Sequence, residues 1–215
     1  MRRTIGIHML FVFLFLMTTV GFAQDFTADA YSSHSAADEV AKIFVSGNKV
    51  RIEPQRDSDN EGFVIWDVNG HHYMVVMPQR HMFMDFGGPM MQQQVLAFWR
   101  PADANNACPD WERLAVQFKA HEKLGSCHKV GNDTVNGRSA VKYEGSSTDG
   151  KTGDVWVDTK LHFLIKMADA DGNVTELRNI REGSQPDSLF EVPAGYQKME
   201  MGGGMKMNRP EPPSH

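Results

Sequence analysis

The 215-residue chain has 41% hydrophobic residues, 23% charged residues and a formal charge of −5. This length and composition suit one domain, or at most two small ones, with a sizeable core, and they exclude collagen-like, coiled-coil and wholly disordered proteins. Acidic residues outnumber Lys and Arg by 27 to 22. We therefore expect no nucleic-acid partner, because binding to phosphates needs an excess of positive charge.

Residues 1–23 have the pattern of a cleavable signal peptide. Arg2 and Arg3 supply the positive start, residues 9–17 are apolar, and the small residue Ala23 precedes Gln24. The apolar run is shorter than the roughly 20 residues that span a bilayer. We therefore expect cleavage near Ala23 and a periplasmic or secreted protein that does not span the membrane afterwards.

Two cysteines, Cys108 and Cys127, are the only ones in the chain. In an oxidising compartment such a pair is more often a disulfide than a metal site, and a free nucleophilic cysteine is the minor alternative. We predict one bridge between them.

Dipeptides typical of tight turns recur between runs of strand-forming residues. They are Gly47-Asn48, Asn69-Gly70, Asn136-Gly137, Asp149-Gly150 and Asp171-Gly172. The flanking runs alternate with period two, and Leu161, Phe163, Ile165 and Met167 are predicted to share one face. Because strands joined by tight hairpins are antiparallel neighbours, the pattern predicts a mainly β fold with a meandering antiparallel sheet.

A helical insert interrupts these strands at about residues 89–125. Two segments carry apolar residues at helical spacing, and Gly125 is a plausible end. Their stripes consist of Met91, Val95, Phe98 and Trp99, and of Trp111, Leu114, Ala115 and Phe118. We expect this helical pair to cover the sheet, with the cysteines near its ends.

The last residues differ in composition from the rest. Gly and Pro are dense in 202–215, so this segment is predicted to be a disordered Gly/Pro/Met tail. The expected folded domain is therefore 24–201.

Several segments resemble LolA/LolB-like periplasmic proteins, in an uncharacterised branch of that superfamily rather than the lipoprotein carrier itself. The resemblance spans about 26–201. The segments that carry it are Phe26-Thr27-Ala28-Asp29, 43–53, Thr134-Val135-Asn136-Gly137, 149–153 and Pro186-Asp187-Ser188-Leu189-Phe190 with the following Glu191-Val192-Pro193-Ala194-Gly195-Tyr196.

The resemblance implies an α+β, mainly β fold: an antiparallel sheet curled into a half-open barrel, with inserted helices as a lid over an apolar cavity. Members of the superfamily carry lipoprotein acyl chains or sense envelope stress. The carriers hold their closed state with a lid arginine, for which this chain has no secure equivalent. Arg51 lies in a similar strand, and a plain surface residue is the alternative interpretation.

Aromatic and methionine residues are numerous enough to line such a cavity. The candidates are Trp66, Met82, Met84, Phe86, Phe98, Trp99 and Trp111. A filled core is an alternative interpretation of the same residues.

A Met/His cluster offers a second hypothesis, which is copper binding. Thioethers suit Cu(I) and imidazole suits Cu(II), and His72, Met74, Met82 and Met84 could meet across one hairpin. Packing against an apolar ligand explains the same residues better, since Met adapts to varied apolar surfaces. We expect no cofactor, with copper as the alternative.

No catalytic motif is present, so we do not expect an enzyme. The leading hypothesis is an exported soluble binding protein that holds an apolar or acylated ligand, such as a lipid or a lipoprotein-like molecule. The alternatives are a periplasmic copper-binding protein and an envelope sensor or interaction domain that docks an envelope protein.

Overall fold

The structure is a computed structural model that describes residues 24–34, 39–54, 62–67, 72–86, 100–117 and 124–199. These residues form twelve strands and one α-helix. The strands are β1 (Phe26–Ser32), β2 (Glu39–Ser46), β3 (Lys49–Pro54), β4 (Phe63–Asp67), β5 (His72–Met77), β6 (Met82–Asp85), β7 (Leu124–Val135), β8 (Arg138–Ser147), β9 (Thr152–Asp158), β10 (Leu164–Ala168), β11 (Val174–Glu182) and β12 (Gln197–Lys198). The helix α1 is Cys108–Gln117, and short 3-10 turns lie at Pro78–Arg80 and Asp187–Phe190.

Four of the predicted hairpin turns are confirmed. Gly47 (φ 54°) turns the chain between β2 and β3, and Gly150 and Gly172 (both φ 83°) do so between β8 and β9 and between β10 and β11. Between β7 and β8, Asn136 (φ 49°) and Gly137 (φ 79°) both have the positive φ that a tight hairpin needs. The fifth dipeptide, Asn69-Gly70, lies outside the described residues.

The sheet consists of two meanders joined side by side. The strand order is β12-β6-β5-β4-β3-β2-β1-β11-β10-β9-β8-β7. β1 pairs antiparallel with β11, which joins the β1–β6 meander to the β7–β11 meander, and β12 adds to β6 in parallel. Because β7 and β12 are the two ends of this order, the sheet is open, and the predicted mainly β, half-open architecture is confirmed.

Ionic contacts show the direction in which the sheet curls. Arg138 of β8 donates to Asp158 of β9 (2.5 Å) and to Glu182 of β11 (2.9 Å). In a flat sheet β8 and β11 would be about 14 Å apart, a distance that Arg138 and Glu182 could bridge only with both side chains fully extended along the sheet. Asp158 pairs with buried Ala140, so these groups lie on the face that bears the main core, and the sheet curls towards that face.

We call this concave side the inner face. Its core extends from β1 to β4 and from β7 to β11 and contains Phe26, Val45, Val50, Trp66, Val135, Trp156, Phe163 and Ile165. The predicted alternation in β10 is wrong at its end, because the register shifts between Leu164 and Lys166. Met167 therefore pairs with Val155 and lies on the opposite, outer face.

The outer face carries two separate apolar clusters. Residues 104–111 pack against Val141, Tyr143, Val157 and Leu164 at the β8–β10 end. The segment around Phe190 packs against Phe63, Ile65 and Val76 at the other end. Arg51 holds the segment around Phe190 in place, since it donates to the carbonyl of Leu189 (2.9 Å) and stacks on the Phe63 ring (3.5 Å).

The structure describes residues 100–117 of the predicted insert, and 108–117 are helical. α1 matches the second predicted helix, whereas Gly125 belongs to β7 rather than to a helix end. The Cys108–Cys127 disulfide is present, with the two Cα atoms 5.6 Å apart. The first predicted helix, the leader 1–23 and the tail 202–215 lie outside the described residues. Within the described ranges, no helix combines the length and the apolar character needed to cross a membrane.

Candidate ligand-binding site

Four of the predicted cavity residues lie on the inner face. Trp66 is completely buried, and its ring meets Tyr73 edge to face at 5.8 Å. The Phe86 ring also contacts Tyr73, with the ring centroids 5.9 Å apart and the rings tilted by 55°. Met82 and Met84 pair with Met77 and Val75 and are half-buried on the same face. The centre of this face is therefore filled core, and half-buried apolar side chains continue along its β5–β6 end.

The other three predicted cavity residues are placed differently. Phe98 and Trp99 lie outside the described residues. Trp111 lies over the outer face, where it packs against the Tyr143 cluster. The set is therefore not assembled around one inner cavity by the residues that the structure describes.

Trp111 instead lines an open groove on the outer face. The groove has a volume of about 440 Å³ and lies beneath α1, between the β8–β9 turn and the β10–β11 turn. Its apolar walls include Trp111, Tyr143, Val155 and Met167, and its polar lining consists of Lys151 with serine, threonine, asparagine and aspartate residues. This volume and this lining fall within the range of small-molecule sites.

Two glycines form the floor of the groove. Gly145 of β8 pairs directly with Gly153 of β9, and both line the groove. A Cβ on Gly153 would lie 3.0 Å from the carbonyl oxygen of Ala168, so that position is restricted by backbone. A Cβ on Gly145 would only make an ordinary 3.7 Å contact with Ser126 O. Because neither Gly145 nor Gly153 has a side chain, the groove stays open above them.

Tyr143 and the disulfide hold the insert above this floor. The Tyr143 hydroxyl donates to Ala104 O (2.7 Å) and accepts from Ala107 N (3.2 Å). Burial raises the pKa of Tyr143, so the hydroxyl remains a neutral donor at ordinary pH. The Cys108–Cys127 bridge joins the first residue of α1 to β7 beside the groove.

The carboxylates of the two turns at the rim are held by their own turns. Asp169 accepts from Asn173 Nδ2 (2.9 Å) and from the backbone N–H groups of Asn173 (2.8 Å) and Asp171 (2.9 Å). The Asn173 side chain is the main cause of the lowered pKa of Asp169, and the Ser147 hydroxyl has the same effect on Asp149. These aspartates shape the turns and leave the apolar walls to contact a ligand.

The candidate copper ligands fall on two faces of the sheet. Met74 pairs with Asp85, and His72 Nδ1 lies 3.1 Å from Asp85 Oδ2. Met82 and Met84 pair with Met77 and Val75, which alternate along β5 with His72 and Met74, so both methionines point to the inner face. Neighbouring strand residues on opposite faces cannot share one ion, so the structure does not bring the four together. Among the described residues, no group of three or more His, Cys, Asp or Glu side chains is placed to hold a metal.

The sequence predicted a cavity between the sheet and the helical insert and named Trp111 for it. It did not select Tyr143, Gly145, Gly153 or Met167. Gly145 and Gly153 were the available signal, because a glycine inside a strand marks a bulge or a close approach by backbone or ligand.

Comparison with known proteins gives general likenesses only. No family profile and no curated protein matches the chain. An uncharacterised conserved protein from Thermus thermophilus is 10% identical, with 81% of this chain and 89% of that chain covered and a TM-score of 0.49. The Pseudomonas aeruginosa MucA/MucB complex is 14% identical, with 77% of this chain and 54% of that chain covered and a TM-score of 0.44. The Mycobacterium tuberculosis lipoprotein LppX is 11% identical, with 76% of this chain and 89% of that chain covered and a TM-score of 0.38. Likenesses at these scores carry no argument about function.

Proposed function

We propose that this chain is an exported binding protein that holds an apolar or acylated ligand, with no catalytic step. The observation that carries this proposal is the 440 Å³ groove whose walls are Trp111, Tyr143, Val155 and Met167. A lipid or the acyl chain of a lipoprotein-like molecule has the required chemistry, because apolar walls favour a ligand that loses water-exposed hydrocarbon surface on binding.

Met167 supports the proposal through its position. Its side chain is one of two large hydrophobic side chains that are exposed among the described residues, at 37%, the other being Val130 at 53%. Met adapts its shape to varied apolar partners at little cost. An acyl ligand would cover the Met167 side chain and remove its exposed apolar surface from water.

A titration with the fluorescent fatty acid cis-parinaric acid tests the proposal. We expect Met167→Asp to weaken binding by roughly tenfold or more, since a carboxylate would have to be desolvated against the acyl chain. Val130→Asp is the matched control, because it makes the same kind of change at an exposed site that does not line the groove. We expect it to bind like the wild type.

A third variant separates the two apolar regions. Met84→Asp places the same charge on the inner face at the β5–β6 end. If Met84→Asp abolished binding and Met167→Asp did not, the ligand would belong to the inner face. If the wild-type protein took up no fatty acid and carried no lipid when purified from its own envelope, the proposed function would be wrong.

A further inference from the structure

Arg100 holds Gln24, the first residue of the part of the chain that the structure describes. Its guanidinium donates to Gln24 O (2.9 Å), to Gln24 Oε1 (3.1 Å), to Leu161 O (3.4 Å) and to the carbonyl of Gly47. Gln24 is also the residue that would follow the predicted signal-peptide cleavage. Its backbone carbonyl and its side-chain amide are thus fixed by the same cation.

Asp25, the next residue, anchors Gln24 to the sheet through its own hydrogen bonds. Asp25 is buried, its carbonyl accepts from Gly183 N (2.9 Å), and its carboxylate accepts from Gly47 N (2.9 Å) and Ser46 Oγ (3.1 Å). After cleavage, the new α-amino group would therefore lie at a defined place on the fold. Through the covalent path N–Cα–C–O, it would lie within about 6.5 Å of Arg100 Nη2.

Two features of this arrangement favour one reaction. A hydrogen bond from the guanidinium to Gln24 Oε1 polarises the amide carbonyl and would stabilise the oxyanion that forms when a nucleophile attacks Cδ. The same cation also holds the backbone carbonyl of Gln24, which limits the conformations of the residue that carries both the amine and the amide. Burial lowers the pKa of Arg100, and the Asp25 carboxylate opposes this effect.

We infer that Gln24, once exposed by cleavage, cyclises to pyroglutamate with Arg100 as the electrophilic catalyst. The α-amine nitrogen attacks Cδ of the side chain, a new N–C bond forms, and the bond from Cδ to the amide nitrogen breaks. Ammonia leaves with the proton given up by the α-amine, and no oxidant or other reactant is required. The lactam keeps its carbonyl oxygen as an acceptor for Arg100 and removes the extra positive charge.

Intact-mass and N-terminal peptide spectrometry of the exported, mature protein tests this inference. We expect a terminus at Gln24 that is lighter by one ammonia, and removal of this residue by pyroglutamyl aminopeptidase after denaturation. Gln24→Asn is the matched control, because it keeps an amide but cannot close a five-membered lactam. A different terminus, or a Gln24 amine that remains free on prolonged incubation, would overturn the inference.

The role of Arg100 has a separate kinetic test. Freshly matured protein is incubated folded or in denaturant, and the loss of ammonia is followed over time. We expect cyclisation to be about tenfold faster in the folded protein, and Arg100→Gln to reduce the folded rate to the denatured one. Equal rates in folded and denatured wild-type protein would show that Arg100 plays no part. This comparison does not need the variant to fold and does not depend on the proposed ligand.

Discussion

At the scale of single residues, the buried carboxylate of Asp158 holds β9 to β8 and to the turn after β9. It is 1% exposed, and it accepts from Arg138 (2.5 Å) and from the backbone N–H groups of Lys160 and Leu161 (both 2.8 Å). The Asp158 side chain is the main cause of the raised pKa of Arg138, and contacts with Lys160 and then Arg138 lower the pKa of Glu182. The Asp158 carboxylate thereby joins β8, β9 and the turn after β9, and Arg138 extends this contact to Glu182 of β11.

We expect Asp158→Asn to lower the free energy of unfolding by about 3 kcal/mol, because it leaves the half-buried Arg138 without its closest counter-charge. Chemical denaturation measures this. Asp154→Asn is the matched control on the same strand, since Asp154 pairs with Lys142 (2.8 Å) at 29% and 28% side-chain exposure. This partly exposed pair is worth about 1 kcal/mol or less. Equal losses in the two variants would contradict the account of Asp158.

At the scale of elements, the insert is held on the outer face at three places. The disulfide joins α1 to β7, the Tyr143 hydroxyl bonds the loop before α1, and Ala104 and Ala107 pack into the outer-face core. The groove exists because this insert stands over a floor that lacks side chains at Gly145 and Gly153. The disulfide is therefore expected to matter for the groove as well as for stability.

The double variant Cys108→Ser, Cys127→Ser tests this expectation. The disulfide closes a loop between cysteines 19 positions apart, and it restricts the unfolded chain. Its removal is therefore expected to lower the free energy of unfolding by about 3 kcal/mol. We expect amide exchange to rise in 101–117 and at the start of β7, and to stay unchanged in β1–β3. Dithiothreitol should reproduce the effect in the wild type and add nothing in the variant. Unchanged exchange in the insert would show that the other two contacts suffice.

The elements that the sequence could predict are those with a local signal. Dipeptides such as Asn136-Gly137 need a particular backbone conformation, and they marked hairpins correctly. The pairing of β1 with β11 has no such signal, because these strands meet only through the three-dimensional fold. The sequence also has no local signal for the register shift between Leu164 and Lys166. This shift places Met167 on the outer face, where it lines the groove.

At the scale of the whole molecule, the two faces of one sheet have different roles. The inner face is occupied by core side chains from both meanders, so its centre is closed to a ligand. The outer face is covered at both ends, by the insert at one and by the segment around Phe190 at the other. The cavity under the insert therefore lies outside the curl of the barrel, and the resemblance to half-barrel carriers had implied the opposite side.

The central claim is that an acyl ligand occupies this outer groove. Photo-crosslinking with a diazirine-bearing fatty acid, followed by peptide mapping of the full mature protein, tests it most directly. We predict that the label falls on peptides that contain Trp111, residues 145–153 or Met167, and that unlabelled fatty acid competes for it. Label concentrated on the β5–β6 peptide with Met82 and Met84, or label that does not compete, would contradict the claim.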